Sequence, residues 1–285
     1  MKQPIDTNLS PWRETIDPAA LPLSAFKLGR VLDYPHAGND VFHVEGAYRG
    51  EPCRAYIKVE RQSGADLRNE IEVLRVLPLA EKPQVLDFSL ESPAVLVTRE
   101  RRGRRLSVLL DGAPEGASLA YMKSYGAALA KIHALDMPRK PVKPRRFFTL
   151  PPEDYLAQYG LTELASWLRE NPPEGETRCF VHGDFHYANL LWENGALSAV
   201  LDWELAGWGV REFDMAWALV LRPGQRFLNS VEEIDLFLKG YGERQRFSLP
   251  AFRYYYVLAA LHFYALGDGA YRAELLDLLR AMMDI

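Results

Sequence analysis

A chain of 285 residues, 48% hydrophobic and 25% charged, is long enough for one large domain or two lobes and too apolar for wholesale disorder. Its net charge of −4 divides unevenly: residues 1–150 carry 23 Lys+Arg against 18 Asp+Glu, and residues 151–285 carry 11 against 20. A basic first half suits a polyphosphate ligand and an acidic second half a cationic one, although uneven surface solvation explains the same imbalance, so charge alone selects no function.

The two cysteines, Cys53 and Cys179, form no pattern. They fit a reducing compartment and speak against a disulfide framework or a cysteine metal site. Met1 to Pro11 lacks the basic-then-apolar layout of a signal peptide. No run reaches the roughly 18 apolar residues that a membrane helix needs. A cytoplasmic protein that engages no membrane is expected.

Residues 1–25 are proline-rich with little periodicity, which predicts a loosely structured arm or a short helix. Phe26 to Gly29, Asp40 to Gly46 and Cys53 to Val59 then read as antiparallel strands. A turn-rich loop from Tyr34 to Asn39 joins the first two. A helix is predicted over Ala65 to Leu77, with Leu67, Ile71, Leu74 and Leu77 on one face. Glu70 falls inside that apolar stripe while Glu72 faces away, at about 100° per residue. An inward carboxylate needs a partner, and Lys58 is the nearest basic candidate in sequence. A helix glutamate that simply reaches water is the plainer alternative.

Val85 to Phe88 and Ala94 to Thr98 complete the strand-rich half. The arginines around Gly103, from Arg99 to Arg105, lack the aromatic interleaving of a nucleic-acid surface and read as a solvated linker, so no nucleic-acid partner is expected. Beyond them helices dominate. Leu119, Met122, Leu129 and Ile132 mark one, Met137 to Pro144 is a connector, and further helices are expected over 153–169, 212–221, 231–242, 250–266 and 271–283. The layout divides into 1–98, a linker at 99–105, and 106–285.

One hairpin interrupts the helical half. Leu190 to Trp192 is a strand, Asn194-Gly195 the turn, and Leu197 to Leu201 the return strand, because a two-residue type I′ turn favours Asn-Gly. Such a hairpin draws Asn189 and Asp202 towards each other, with Asp184 on the loop just before. An Asp, an Asn and an Asp so gathered suit a hard cation and a proton transfer; a surface hairpin whose Asp and Asn make local turns is the bland alternative.

Taken together, these residues resemble the aminoglycoside phosphotransferase and choline kinase family, relatives of the protein kinases. The matching motif is His182-Gly183-Asp184-Phe185-His186-Tyr187-Ala188-Asn189, with Asp202-Trp203-Glu204 where protein kinases have Asp-Phe-Gly. Ile57-Lys58, Glu70, Leu129 to His133, and Trp208-Gly209 leading to Phe213-Asp214 support it, so the resemblance spans about residues 26–220. It implies an α+β, two-lobed protein-kinase-like fold: an antiparallel sheet plus one helix in the N-lobe, and a mainly helical C-lobe with a catalytic β-hairpin.

It also implies ATP and Mg²⁺ as cofactors and a hydroxyl-bearing small-molecule acceptor, an aminoglycoside or amino alcohol on the charge argument. Phosphoryl transfer asks the protein chiefly to position groups and neutralise charge. By resemblance, Lys58 contacts the α/β-phosphates and is held by Glu70. Asn189 and Asp202 bind the metal, and Asp184 accepts or orients the proton of the acceptor hydroxyl. The loop with Gly38 and Asn39 covers the phosphates, although it lacks the glycine-rich pattern of protein kinases. Thr98 stands behind the adenine, whose edge meets main-chain groups of Arg99 and Arg101. His133, His182 and His186 read as structural, Asp214 as a brace for the catalytic loop, and Tyr254 to Tyr256 with His262 as core. Glu204 has no assigned role. Glu232, Glu233, Asp235 and Asp268 are candidates to line the acceptor site or simply to be solvated.

Kinases of homoserine, methylthioribose or fructosamine resemble the pattern too, and nothing in the sequence excludes them. Two other classes fit less well. A metallohydrolase would use Asp184-Phe185-His186 but needs Gly-Asp-x-x-Asp and Gly-Asn-His stretches that do not occur. A nucleotide-binding pseudokinase would lack one of Lys58, Asp184, Asn189 and Asp202, and all four are present.

Overall fold

The structure is a computed structural model that describes residues 16–35, 38–61 and 64–283, apart from the side chain of Met283. Met1 to Pro11, and His36 and Ala37 of the turn-rich loop, lie outside the described residues. The chain forms two compact units: one runs through Arg102 and includes Leu201–Glu204, and the other holds Gly103–Val200 and the chain from Leu205 onward.

The first unit is built on β1 (Phe26–Asp33), β2 (Asp40–Tyr48), β3 (Glu51–Val59), β4 (Val85–Ser89) and β5 (Val95–Arg99). They form an antiparallel sheet in the order β1-β2-β3-β5-β4. β2 and β3 run further than their alternation suggested, to a tight turn at Arg49-Gly50 where both residues have positive φ. On one face Phe42, Val44, Ala55, Ile57, Val59, Val95 and Val97 make the core, joined by Ile16, Leu21 and Leu23. Each large apolar side chain so buried contributes about 1.5–3 kcal/mol.

The described part of the N-terminal arm holds a short 3-10 helix at Pro18–Ala20. It is tied down: the backbone N–H groups of Ser24, Ala25 and Phe26 all donate to Asp87 Oδ2, at 2.7, 2.6 and 2.9 Å. Helix α1 (Leu67–Val76) starts at an Asp66 cap that accepts from Asn69 N at 3.1 Å, and it buries Leu67, Ile71, Leu74 and Glu70 as its stripe predicts.

The second unit contains α2 (Leu106–Leu109), α3 (Leu119–His133), α4 (Glu153–Gln158), α5 (Thr162–Glu170), β6 (Arg178–Val181), β7 (Leu190–Glu193), β8 (Ala196–Val200), β9 (Gly207–Val210), α6 (Arg211–Leu219), α7 (Val231–Gly242), α8 (Leu249–Tyr264) and α9 (Gly269–Met283). The helix expected over 153–169 is two helices, because Gly160 takes φ +67° and Leu161 N donates back to Leu156 O at 2.8 Å, a C-cap that ends the first. The hairpin β7–β8 forms as read, with Asn194 and Gly195 at φ 51° and 77° and Leu190 paired with Val200. A bulge beside Trp192 shifts its register.

The arginine segment is not merely a solvated linker. Arg104 N donates to Trp192 O and Trp192 N to Arg104 O, both at 2.9 Å, so its backbone extends the hairpin. The pair β6–β9, which aligns Val181 with Gly207, was not anticipated. Helices α3 and α7 cross at van der Waals contact, and a Cβ on Gly126 would lie 2.0 Å from Phe237 O.

Candidate active site

In the first unit, the alternation of β3 puts Lys58 on the face opposite Ile57 and Val59, and the α1 stripe turns Glu70 inward. The two meet: Lys58 Nζ lies 2.8 Å from Glu70 Oε2. The same ammonium donates to Asp202 Oδ1 at 2.8 Å and to Glu204 Oε2 at 3.3 Å. Asp202-Trp203-Glu204 is held by backbone as well, for Trp203 N donates to Glu70 Oε1 at 3.2 Å and Asn69 Nδ2 to Glu204 O at 3.0 Å. Asp202 sits at φ +64°, a left-handed conformation that costs about 1–2 kcal/mol in a residue with a Cβ. Such strain concentrates at functional sites.

Charge governs this cluster. Burial pushes the Lys58 ammonium down, but Glu70, Asp202 and Glu204 together raise its pKa well above the ordinary value. Burial raises the Glu70 and Glu204 carboxyls, against the pull of Lys58. One ammonium faces three carboxylates whose ligand oxygens lie within 4.8 Å of one another. An excess of hard oxygen donors suits Mg²⁺. Glu204, to which the sequence assigned no role, is thus a partner of Lys58 and also accepts from Asn39 Nδ2 at 3.3 Å.

Gly38 has φ 91°, and Asn39, almost fully buried, anchors the loop by accepting from Arg61 N at 3.1 Å. Tyr56 shares the Lys58 face by alternation, pairs with Thr98 across β3–β5, and stacks on His43 at 4.7 Å between ring centroids. Arg99 N is already committed to Gln84 O at 2.9 Å. Arg101 lines a cavity of about 680 Å³ with Lys82 and Gln84, and neither Lys58 nor Glu70 borders that cavity.

In the second unit, β6 delivers the chain into His182-Gly183-Asp184. Gly183 has φ +80°, and a Cβ there would meet Leu205 O at 2.2 Å, so only glycine fits the turn. Asp214 braces the same turn: its carboxylate accepts from His182 N at 2.9 Å, Gly183 N at 3.0 Å and His133 Nε2 at 3.1 Å. His133 Nδ1 in turn lies 2.7 Å from the Tyr241 hydroxyl.

The carboxylate of Asp184 is held in two directions. Oδ1 accepts from Trp217 Nε1 at 2.7 Å, and Oδ2 accepts from Asn189 Nδ2 at 3.2 Å with His186 Nε2 at 3.6 Å. Burial would raise its pKa, but His186, Arg145 and Trp217 hold it far below the usual carboxylate range. Asp184 is therefore ionised at neutral pH and ready to accept a hydrogen bond.

The structure thus gathers Lys58, Glu70 and Asp202 in one unit, with Asn39 reaching their neighbour Glu204, and Asp184 with Asn189 in the other. Two of the acidic candidates for the acceptor site also serve backbone groups at helix starts. Glu233 is buried as a capping box with Ser230 and also accepts from Leu228 N at 2.8 Å, and Asp268 accepts from Tyr271 N at 2.9 Å at the start of α9. Of the aromatic cluster in α8, Tyr256 is core, whereas half-buried Tyr255 donates to Glu176 at 2.6 Å and His262 lies 2.8 Å from Thr149 O. Trp217 was missed, yet its spacing of three from Asp214 on a helix places both on one side.

Comparison with known proteins agrees with the fold. The fold is the kinase-like α+β fold of a spectinomycin phosphotransferase solved with ADP and spectinomycin (TM-score 0.59, 13% identity, 92% of this chain and 94% of that one). It is also that of the aminoglycoside phosphotransferase APH(4)-Ia (TM-score 0.57, 20% identity, the same coverage). The model of the Phosphotransferase enzyme family matches residues 35–255, and the chain belongs to that family. Among curated relatives, the aminoglycoside 3'-phosphotransferase of Niallia circulans is 28% identical over 230 residues, 73% of this chain and 82% of that protein. Among the described residues, no helix is long and apolar enough to cross a membrane.

Proposed function

We propose that this phosphotransferase is an ATP- and Mg²⁺-dependent kinase that moves the γ-phosphate to a hydroxyl of a small-molecule acceptor. The observation that carries the reading is Lys58, fixed by buried Glu70 and set beside Asp202 and Glu204. That pattern positions a cation for phosphate oxygens. In this reading Lys58 holds the α/β-phosphates and Glu70 fixes its direction. Asp202 and Asn189 are the residues that would hold Mg²⁺, which would neutralise charge on the phosphates. Gly38 and Asn39 supply the covering loop.

Tyr56, on the Lys58 face with Thr98 beside it, offers an aromatic surface to the base. From Arg99 the group offered to a base edge is the carbonyl, since its amide donates to Gln84 O, and from Arg101 it is a main-chain group. Asp184 orients the acceptor hydroxyl and receives its proton. Its depressed pKa makes it a weak base, which suits a loose transition state where the proton leaves late. The two free thiols, Cys53 and Cys179, fit a cytoplasmic setting.

An aminoglycoside is the acceptor named for the Niallia circulans relative, so aminoglycosides and amino alcohols head the panel, followed by homoserine, methylthioribose and fructosamine. The test is transfer of labelled γ-phosphate to that panel with and without Mg²⁺. Transfer to at least one hydroxyl, lost on chelation, is expected. Nucleotide binding without transfer to any member would favour a pseudokinase; neither binding nor transfer would overturn the assignment.

A further inference from the structure

Several acidic residues of the second unit are committed to backbone groups. Glu212 accepts from Thr177 N at 3.0 Å and from Ser248 N at 3.1 Å, and Asp214, Glu233 and Asp268 serve the braces and caps already described. Cations stand beside Asp184. Arg145 lies 4.5 Å from the centre of the Trp217 ring and 5.4 Å from that of Phe147, and it donates to Gly183 O. Arg222 lies 5.1 Å from the same Trp217 ring and donates to Trp217 O at 2.9 Å. The indole they share donates to Asp184 Oδ1 at 2.7 Å.

Both guanidinium groups are partly buried, and among the described residues neither has a carboxylate within ion-pairing distance. Burial disfavours both charges and pushes their pKa values down. Arg145 feels the carboxylates of Asp184 and Asp214 and Arg222 that of Asp184, but Asp184 is itself committed to Trp217 and Asn189, and Asp214 to His182, Gly183 and His133. Aromatic stacking fixes each fork in place, so little freedom is lost when an anion pairs with it.

We propose that Arg145 and Arg222 bind an anionic group, a carboxylate or a phosphate ester, carried by the same acceptor whose hydroxyl Asp184 orients. This rests on the kinase reading and adds the chemical class of its acceptor. A planar guanidinium pairs such groups with two parallel N–H donors, giving direction as well as attraction. An amino group elsewhere on the acceptor is compatible with the assignment; a bare polycation offers neither arginine an anion. Phe147 and Trp217 supply an apolar wall next to the anion site.

The experiment uses matched acceptors that differ only in the anion: L-homoserine against its amide, and glycerol 3-phosphate against glycerol. Each is assayed for phosphate transfer with the full-length protein, and for binding by calorimetry in the presence of a non-hydrolysable nucleotide. The charged member of at least one pair is expected to be preferred on the order of tenfold to a hundredfold in kcat/KM or affinity. In R145Q and R222Q that ratio collapses towards one, chiefly through acceptor KM; R145K and R222K restore it in part.

No preference for the charged member in either pair overturns the proposal, and so does a preference that both glutamine variants retain. Glutamine variants that lower kcat equally for both members would assign the arginines to the phosphoryl group instead, which also overturns it. A transfer preference for uncharged members would leave the kinase reading standing and remove this inference. Arginine-dependent binding of the charged probes with no transfer would do the reverse.

Discussion

Asp214 makes the most quantitative test of how the second unit holds the turn at His182-Gly183-Asp184. Its carboxylate is fully buried and takes three donors, His182 N, Gly183 N and His133 Nε2, between 2.9 and 3.1 Å. Asp214→Ala strands two buried backbone N–H groups and a buried imidazole nitrogen, at about 1–3 kcal/mol each. Relaxation and water entry make the losses less than additive, so about 3–5 kcal/mol is expected. In a unit of this size that lowers the melting temperature by about 10–15 °C. The assay is differential scanning calorimetry of the full chain, alongside transfer kinetics. Because His182 and Gly183 immediately precede Asp184, kcat should fall at least about tenfold even well below the new midpoint. Asp214→Asn retains one acceptor oxygen and should lose about half as much stability. A drop under about 3 °C with unchanged kcat would refute the brace.

Other perturbations probe different parts of the account. Lys58→Ala leaves Glu70, Asp202 and Glu204 facing one another without their cation, and should weaken Mg²⁺–nucleotide binding by about tenfold or more; calorimetric titration giving wild-type affinity would contradict its role. Gly126→Ala drives a Cβ to 2.0 Å from Phe237 O, so α3 and α7 must part, at about 1–3 kcal/mol. An unchanged melting temperature would deny that close crossing.

His133 and His262 are both held below their ordinary pKa, chiefly by burial. The unfolded chain then binds more protons below about pH 6.5, so stability is full above that pH and falls as the pH drops towards the folded values. Melting profiles between pH 7.5 and about 5 should show this slope, and His133→Gln should flatten it; a slope of opposite sign would rule out buried neutral histidines.

Much of the site was written in local patterns. The α1 stripe turned Glu70 inward, Lys58 on the preceding strand was its basic candidate, and Asn194-Gly195 made the hairpin, because each reading depends on residues close along the chain. The pairing of β6 with β9 was hidden: four residues, Arg178 to Val181, carry no alternation to read and find their partner only at Gly207 to Val210. Gly160 broke a helix that periodicity ran through, since the apolar spacing resumes in α5. Glu204 could not be assigned from sequence because its partner Lys58 is 146 positions away. Arg145 and Arg222 stand in irregular segments, where no period predicts what a side chain meets. Trp217 was the exception, as its spacing from Asp214 was available.

Asp184 is proposed to serve the acceptor of the transferred phosphate and not nucleotide binding. Asp184→Asn keeps an oxygen for Trp217 or Asn189 and removes the charge. Measured side by side, γ-phosphate transfer should fall about a hundredfold to ten-thousandfold, while the calorimetric affinity for Mg²⁺–ATP stays within about threefold of wild type, a change under about 1 kcal/mol. Transfer that survives the substitution at a wild-type rate would contradict the account.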